Sequence, residues 1–148
     1  MSEENLEEMG PVDWVILGWE GDRPDGTTAA PLIVKAHEAG IIRILDIAFI
    51  SKGQDGSVEA IDLDTLGPDS PFAAFAGASI GLMDHTDLDD GAEALDPGTS
   101  AAIIIWENRW AAPIATALRQ SGGQLLDSGR VPIQALIASL DALDAATA

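Results

Sequence analysis

The sequence predicts an α+β domain made of two related βαβ units, on three observations. Apolar runs rich in Val, Ile and Trp alternate with helical segments over 148 residues. Proline and glycine mark the two ends of two helices at the same spacing. A Trp-Glu pair precedes each of those helices.

Residues 1–10 read as a mobile acidic tail ended by Gly10-Pro11, with a single domain over 11–148. Val12 to Trp19 is apolar except for Asp13 and reads as a strand. The loop Gly21-Asp22-Arg23-Pro24-Asp25-Gly26 leads to Thr27 or Thr28, either of which can cap a helix that tolerates Pro31 in its first turn and stops at Gly40. Ile41 to Ser51 is a long strand, and Gly53-Gln54-Asp55-Gly56 turns it into a second one, Ser57 to Leu63. Strand 42–50 is read with Ile42, Ile44, Ala48 and Ile50 on one face and Leu45, Ile47 and Phe49 on the other.

Between Asp64 and Asp84, Gly67-Pro68 and Ser70-Pro71 break the pattern, and only Phe72 to Ala76 suggests a helical turn or two. Thr86 or Asp87 opens a short helix ending near Leu95, and Thr99 to Trp106 is the third apolar strand, apolar at every position over 101–106. Trp110 to Ser121 is a helix stopped by Gly122-Gly123, Gln124 to Ser128 a short strand, and Pro132 opens a last amphipathic helix through Leu136, Ile137, Leu140 and Leu143.

The two halves correspond. Trp19-Glu20 leads to Ala29-Ala30-Pro31-Leu32 and then Gly40, and Trp106-Glu107 leads to Ala111-Ala112-Pro113-Ile114 and then Gly122. In each the glycine falls nine positions after the proline, as one helix of fixed length requires. Two such units joined by a hairpin describe a ferredoxin-like split βαβ sandwich, with both repeat helices on one sheet face, an extra hairpin strand and a C-terminal helix. A rival register makes helix 86–95 the second crossover and ends the core at strand 99–106; the repeat argues against it.

Pro97-Gly98-Thr99-Ser100-Ala101-Ala102, Trp106-Glu107-Asn108-Arg109-Trp110-Ala111 and Gly122-Gly123-Gln124-Leu125 together resemble an uncharacterised family of small bacterial proteins, a domain of unknown function, over most of residues 11–140. A related family of unknown function is similar along the strand–helix–Gly-Gly–strand part but carries a glycine-zipper hydrophobic insert. Here the matching middle, residues 64–85, is too short and broken to span a bilayer. The resemblance implies a ferredoxin-like fold. It brings no activity and no catalytic residues.

Charge narrows the partners. The formal net charge is −18, from 25 acidic and 7 basic residues. That field repels nucleic-acid phosphates and disfavours anionic membranes; it leaves open a basic protein, a metal ion, or no charged partner, the charge then simply keeping an apolar-rich chain in solution. The absence of cysteine excludes disulfides and thiol chemistry. An acidic start, without a signal peptide's basic and apolar regions, and the lack of an apolar run of membrane-spanning length point to a cytoplasmic protein.

Catalytic motifs are weak. Gly77-Ala78-Ser79-Ile80-Gly81 matches a nucleophile elbow but lacks a preceding strand and a suitable histidine. The run from Asp84 to Gly91 fails as a calcium loop, because Thr86 and Leu88 occupy two of the ligand positions; it reads instead as a solvated face with helix-capping aspartates. His37, near a helix C-terminus, suits the dipole, as does Arg119 in the second half. No glycine pattern for a phosphate loop accompanies Lys35 or Lys52. No cofactor, metal or catalytic residue is assigned.

The polar group that stands out is Glu107, Asn108 and Arg109 between Trp106 and Trp110, with Glu20 as the counterpart of Glu107. These six residues are the candidates for ligand or partner contact. If Glu20 and Glu107 sat at corresponding strand ends, their carboxylates could approach each other as an acid–base pair or cation ligands. Capping and pairing with arginine is the structural alternative. Strands apolar on both faces need cover on both, and two helices on one face leave the other open. The leading expectation is therefore a non-enzymatic homo-oligomeric interaction or scaffold module. The alternatives are a small-ligand or cation-binding regulatory domain and, last, an enzyme using Glu20, Glu107 and Arg109.

Overall fold

Each long apolar run becomes a strand: β1 (Val12–Glu20), β2 (Ile42–Lys52), β3 (Val58–Ile61) and β4 (Thr99–Asn108). The helices are α1 (Ala29–Glu38), α2 (His85–Ala92), α3 (Ala112–Gln120) and α4 (Ile133–Thr147), with 3-10 turns at Pro71–Phe75 and Arg109–Ala111. The computed structural model describes residues 8–62, 69–75 and 81–147, and the chain divides into two compact units, Met1–Ala117 and Leu118–Ala148. The serine of the Gly-x-Ser-x-Gly match and residues 1–7 of the acidic tail lie outside the described residues. Among the described residues no helix is long and apolar enough to cross a membrane.

The chain is a mixed α/β protein with a four-stranded antiparallel sheet in the order β1-β4-β2-β3. β1 and β2 both run antiparallel to β4, which lies between them, so they are parallel to each other. On one face Ile47, Phe49, Ala102 and Ile104 bury against Ala30 of α1 and against Phe72 and Phe75. On the other, Ile50, Ala101 and Ile103 bury against Ala92 and Leu95, with Leu88 of α2 beside them. A central strand covered on both sides has no need of polar alternation, which is why 101–105 is apolar throughout.

This arrangement corrects the sequence reading in several places. The four strands are those of the rival register: Gln124–Ser128 forms no strand, because Leu125 and Leu126 are a two-residue apolar stretch that stays exposed. α1 and α2, the helix that the rival register makes the second crossover, lie on opposite faces of the sheet. A register shift between Ile44 and Asp46 inserts an extra residue at Leu45. It brings Ile44 onto the face of Ile47 and Phe49, where strict alternation puts it opposite. The bulge also turns Asp46, 1% exposed, to receive the Met83 N–H at 2.9 Å, just before α2 begins.

Local chemistry explains the helix ends. Gly40 (φ 73°) and Gly122 (φ 80°) adopt the left-handed conformation just past α1 and α3. Behind them the Ile41 N–H donates to Ala36 O and the Gly123 N–H to Leu118 O, closing both C-termini alike. Thr28 makes no side-chain cap on α1. Pro31 has no N–H to offer at the third position, and the Ala30 N–H is taken by Gly26 O.

α2 is capped by Asp84, ahead of the Thr86 or Asp87 start expected. Its Oδ1 accepts the Asp87 N–H at 2.9 Å and Asp87 Oδ2 accepts the Asp84 N–H at 3.0 Å. The Asp87 N–H bond holds the Asp84 carboxyl below its ordinary value. A depressed carboxylate contributes stability above its unfolded pKa and loses it as pH falls through the folded one. The first turn of α2 should therefore loosen in acid, below the ordinary carboxylate range. Amide exchange of Asp87 followed by NMR checks this, and in Asp84→Ala the acid-dependent step should be absent.

Candidate functional site

Five of the six candidate residues gather at one end of β4, and there the strand pairing decides their roles. Glu107 sits opposite Val12 of β1 and Arg43 of β2, on the face that carries α2. Its side chain is 1% exposed. Oε2 accepts the Gly10 N–H at 2.8 Å. Oε1 lies 3.0 Å from Arg43 Nε, an ion-pair distance without hydrogen-bond alignment, and 3.6 Å from Arg109 Nη1. Two half-exposed guanidinium groups thus neutralise one buried carboxylate, the arrangement that makes burying it tolerable.

Asn108 ties the start of β1 to the end of β4. Its N–H and Nδ2 both donate to Pro11 O, and Nδ2 also donates to Asp13 Oδ2 at 2.9 Å. Trp106 is half-buried against the first core cluster. Trp110 donates its backbone N–H to Ile41 O and is 63% exposed.

Glu20 does not join them. Because β1 and β4 are antiparallel neighbours, Glu20 pairs with Thr99, eight residues along the strand from Glu107's partner Val12. At about 3.3 Å per residue the two glutamates stand roughly 26 Å apart. The expected approach of their carboxylates is overturned, and with it the joint action of Glu20, Glu107 and Arg109 at one centre. Corresponding positions in two βα segments become opposite ends of the sheet once the strands pair head to tail.

Sequence reasoning missed the groups that complete the network. Met9 and Gly10, assigned to the mobile tail, are buried, and a Cβ on Gly10 would come within 2.3 Å of Asn108 O. The signal for this was slight: a lone apolar Met9 and a glycine at the end of an acidic run. Arg43 and Asp46, the two charges in an apolar strand, were the more legible clue.

Next to this network, on the same face, a groove of about 330 Å³ runs between β1, β4 and α2. Trp14, Ile16, Ile103 and Ile105 form its floor, with Asp87 and Asp90 on the α2 side. Gly91 lets α2 approach closely, since a Cβ there would stand 2.7 Å from Ile103 Cδ1. A second, shallower groove shares Ile16 and continues past Gly18 to Glu20, Asp96 and Thr99. Among the described residues no three His, Asp or Glu side chains group closely enough to hold a metal ion.

The fold and this site define an acidic α/β protein in which Glu107 and Arg109 are tied into its own framework beside an apolar groove. The chain belongs to a family of unknown function, DUF6325, whose family model matches residues 8–147. No curated protein and no solved structure matches it.

Proposed function

We propose that the protein is a non-enzymatic, self-associating interaction module, and that α4 is the element through which copies meet. One observation carries this reading: every residue described in α4 is exposed, yet its apolar residues form a continuous stripe. Ile133, Leu136, Leu140 and Leu143 follow one another at spacings of three, four and three, the seam of a two-stranded helical contact. Asp141 and Asp144 lie off that seam, so a second copy meets no carboxylate within it. An apolar stripe of this kind is seldom left to water. The ferredoxin-like relationship of the two halves is kept as part of the proposal only in the alike helices α1 and α3.

Sedimentation velocity at micromolar concentration should show a dimer or larger species. Leu136→Ser with Leu140→Ser should weaken association on the order of a hundredfold, from the apolar area withdrawn, and leave the sheet's amide spectrum unchanged. A wild-type chain that stays monomeric at these concentrations overturns the reading. A second reading, a binding module, is favoured by the groove on the α2 face.

A further inference from the structure

The outer edge of β1 and the groove beside it form one surface. β1 is an edge strand of nine residues, with no proline, lysine or bulge to block pairing, and no described strand covers it. Such an edge presents a row of backbone donors and acceptors that a further strand can satisfy. Its two faces ask for different side chains. On the first face Val15, Leu17 and Trp19 are half-buried in the core. On the second, Trp14, Ile16 and Gly18 form the floor of the two grooves.

Carboxylates rim that second face. Asp87 and Asp90 flank one groove, and Glu20 and Asp96 the other. Trp14, 71% exposed, lines the same groove as Asp87 and Asp90. Long basic side chains fit this layout, because their stems can lie over Trp14, Ile16 and Gly18 while their heads reach the rim.

We propose that the β1 edge docks an extended basic segment of another protein by strand addition, with arginine or lysine alternating with apolar residues. The basic side chains lie on the groove face, and the apolar ones extend the row of Val15 and Leu17. The net charge of −18 draws a basic partner towards the chain, and at this edge the acidic rim disfavours a second copy, whose own rim would meet it. No described residue of α4 lines this surface, so the proposal goes beyond self-association and does not depend on it.

The test uses the full chain and the probe acetyl-Arg-Val-Arg-Val-Arg-Val-Arg-amide, followed by calorimetry and by amide exchange of β1. Binding should slow exchange of β1 amides and shift the Trp14 indole N–H signal. Methylating alternate backbone nitrogens of the peptide keeps its charge and blocks the ladder, and should weaken binding about tenfold or more. A glutamate-for-arginine peptide should not bind. Asp90→Asn with Asp96→Asn should weaken binding about three- to tenfold, while the equal charge change Asp141→Asn with Asp144→Asn on α4 should have less than a twofold effect. Equal binding of the methylated peptide, equal losses from the two double variants, or no binding of the arginine peptide each overturns the proposal. Protection of β1 by a second copy without peptide overturns it in favour of edge-to-edge self-association.

Discussion

Replacing Phe72 by alanine should destabilise the sheet unit by about 3–5 kcal/mol, the range for removing a large aromatic side chain from a filled core. Phe72 is 1% exposed. It lies in the 3-10 turn that closes the first sheet face, with its ring centroid 4.7 Å from Phe49, 5.9 Å from Trp19 and 6.3 Å from Phe75. These tilted and edge-on contacts add about 0.5–1.5 kcal/mol per pair beyond burial. The ring also rests on Gly26, where a Cβ would come within 2.2 Å of Phe72 Cζ. A ring held on so many sides cannot step back, so Gly26→Ala should destabilise in the same direction by about 1–3 kcal/mol. Phe72→Leu, which keeps most of the volume, should cost less than half as much as Phe72→Ala. Against a total of roughly 5–15 kcal/mol for a domain, the alanine variant consumes a large share. Urea denaturation followed by tryptophan fluorescence measures all three. A Phe72→Ala loss below about 1 kcal/mol would show that the turn is not part of the core.

Much of this fold is legible locally. The strands of the first half, the hairpin at Gly53–Gly56 and the stops at Gly40 and Gly122 depend on residues close together in sequence, and the structure places them where proline, glycine and apolar periodicity do. Strand order is different in kind. β4 enters between β1 and β2 because its apolar residues match apolar rows on both neighbours, a choice made between segments tens of residues apart. The repeat describes how α1 and α3 begin and end, but it carries no information on whether a strand follows. The candidate site suffered from the same gap. Glu107 and Arg109 are neighbours in sequence and stay within 3.6 Å of each other, whereas pairing Glu20 with Glu107 assumes a strand alignment. The bulge at Leu45 erased a further inference, since one inserted residue exchanges the faces of everything before it. Arg43 and Gly10, which complete the carboxylate's surroundings, come from the opposite neighbour strand and from the chain's start.

That convergence on Glu107 makes the second large effect. Glu107→Ala should destabilise the protein by about 2–4 kcal/mol, and Glu107→Gln by about 1–2 kcal/mol. The gap between them has a structural cause. Glutamine fills the same space and keeps an oxygen for the Gly10 N–H, so it loses the charge and sets an NH2 where Oε1 faced the two arginines. Alanine leaves that N–H without its acceptor and opens a void at a position 1% exposed. Arg43 Nε is buried, but the Arg43 side chain is 35% exposed and that of Arg109 49%, so both guanidinium groups have a route to water when the carboxylate is lost. The ion pairs are therefore discounted, and most of the alanine loss is assigned to the backbone anchor and the void. Arg109→Ala, at 3.6 Å and half in solvent, should accordingly cost under about 1 kcal/mol. The signature that separates this anchoring role from a contact role is local. In Glu107→Ala, Gly10 should lose protection from amide exchange while the α2 amides keep theirs. Denaturation midpoints and exchange rates for the three variants test the ordering. A Glu107→Ala protein as stable as wild type, with Gly10 still protected, would mean that the carboxylate is held by the fold rather than holding it.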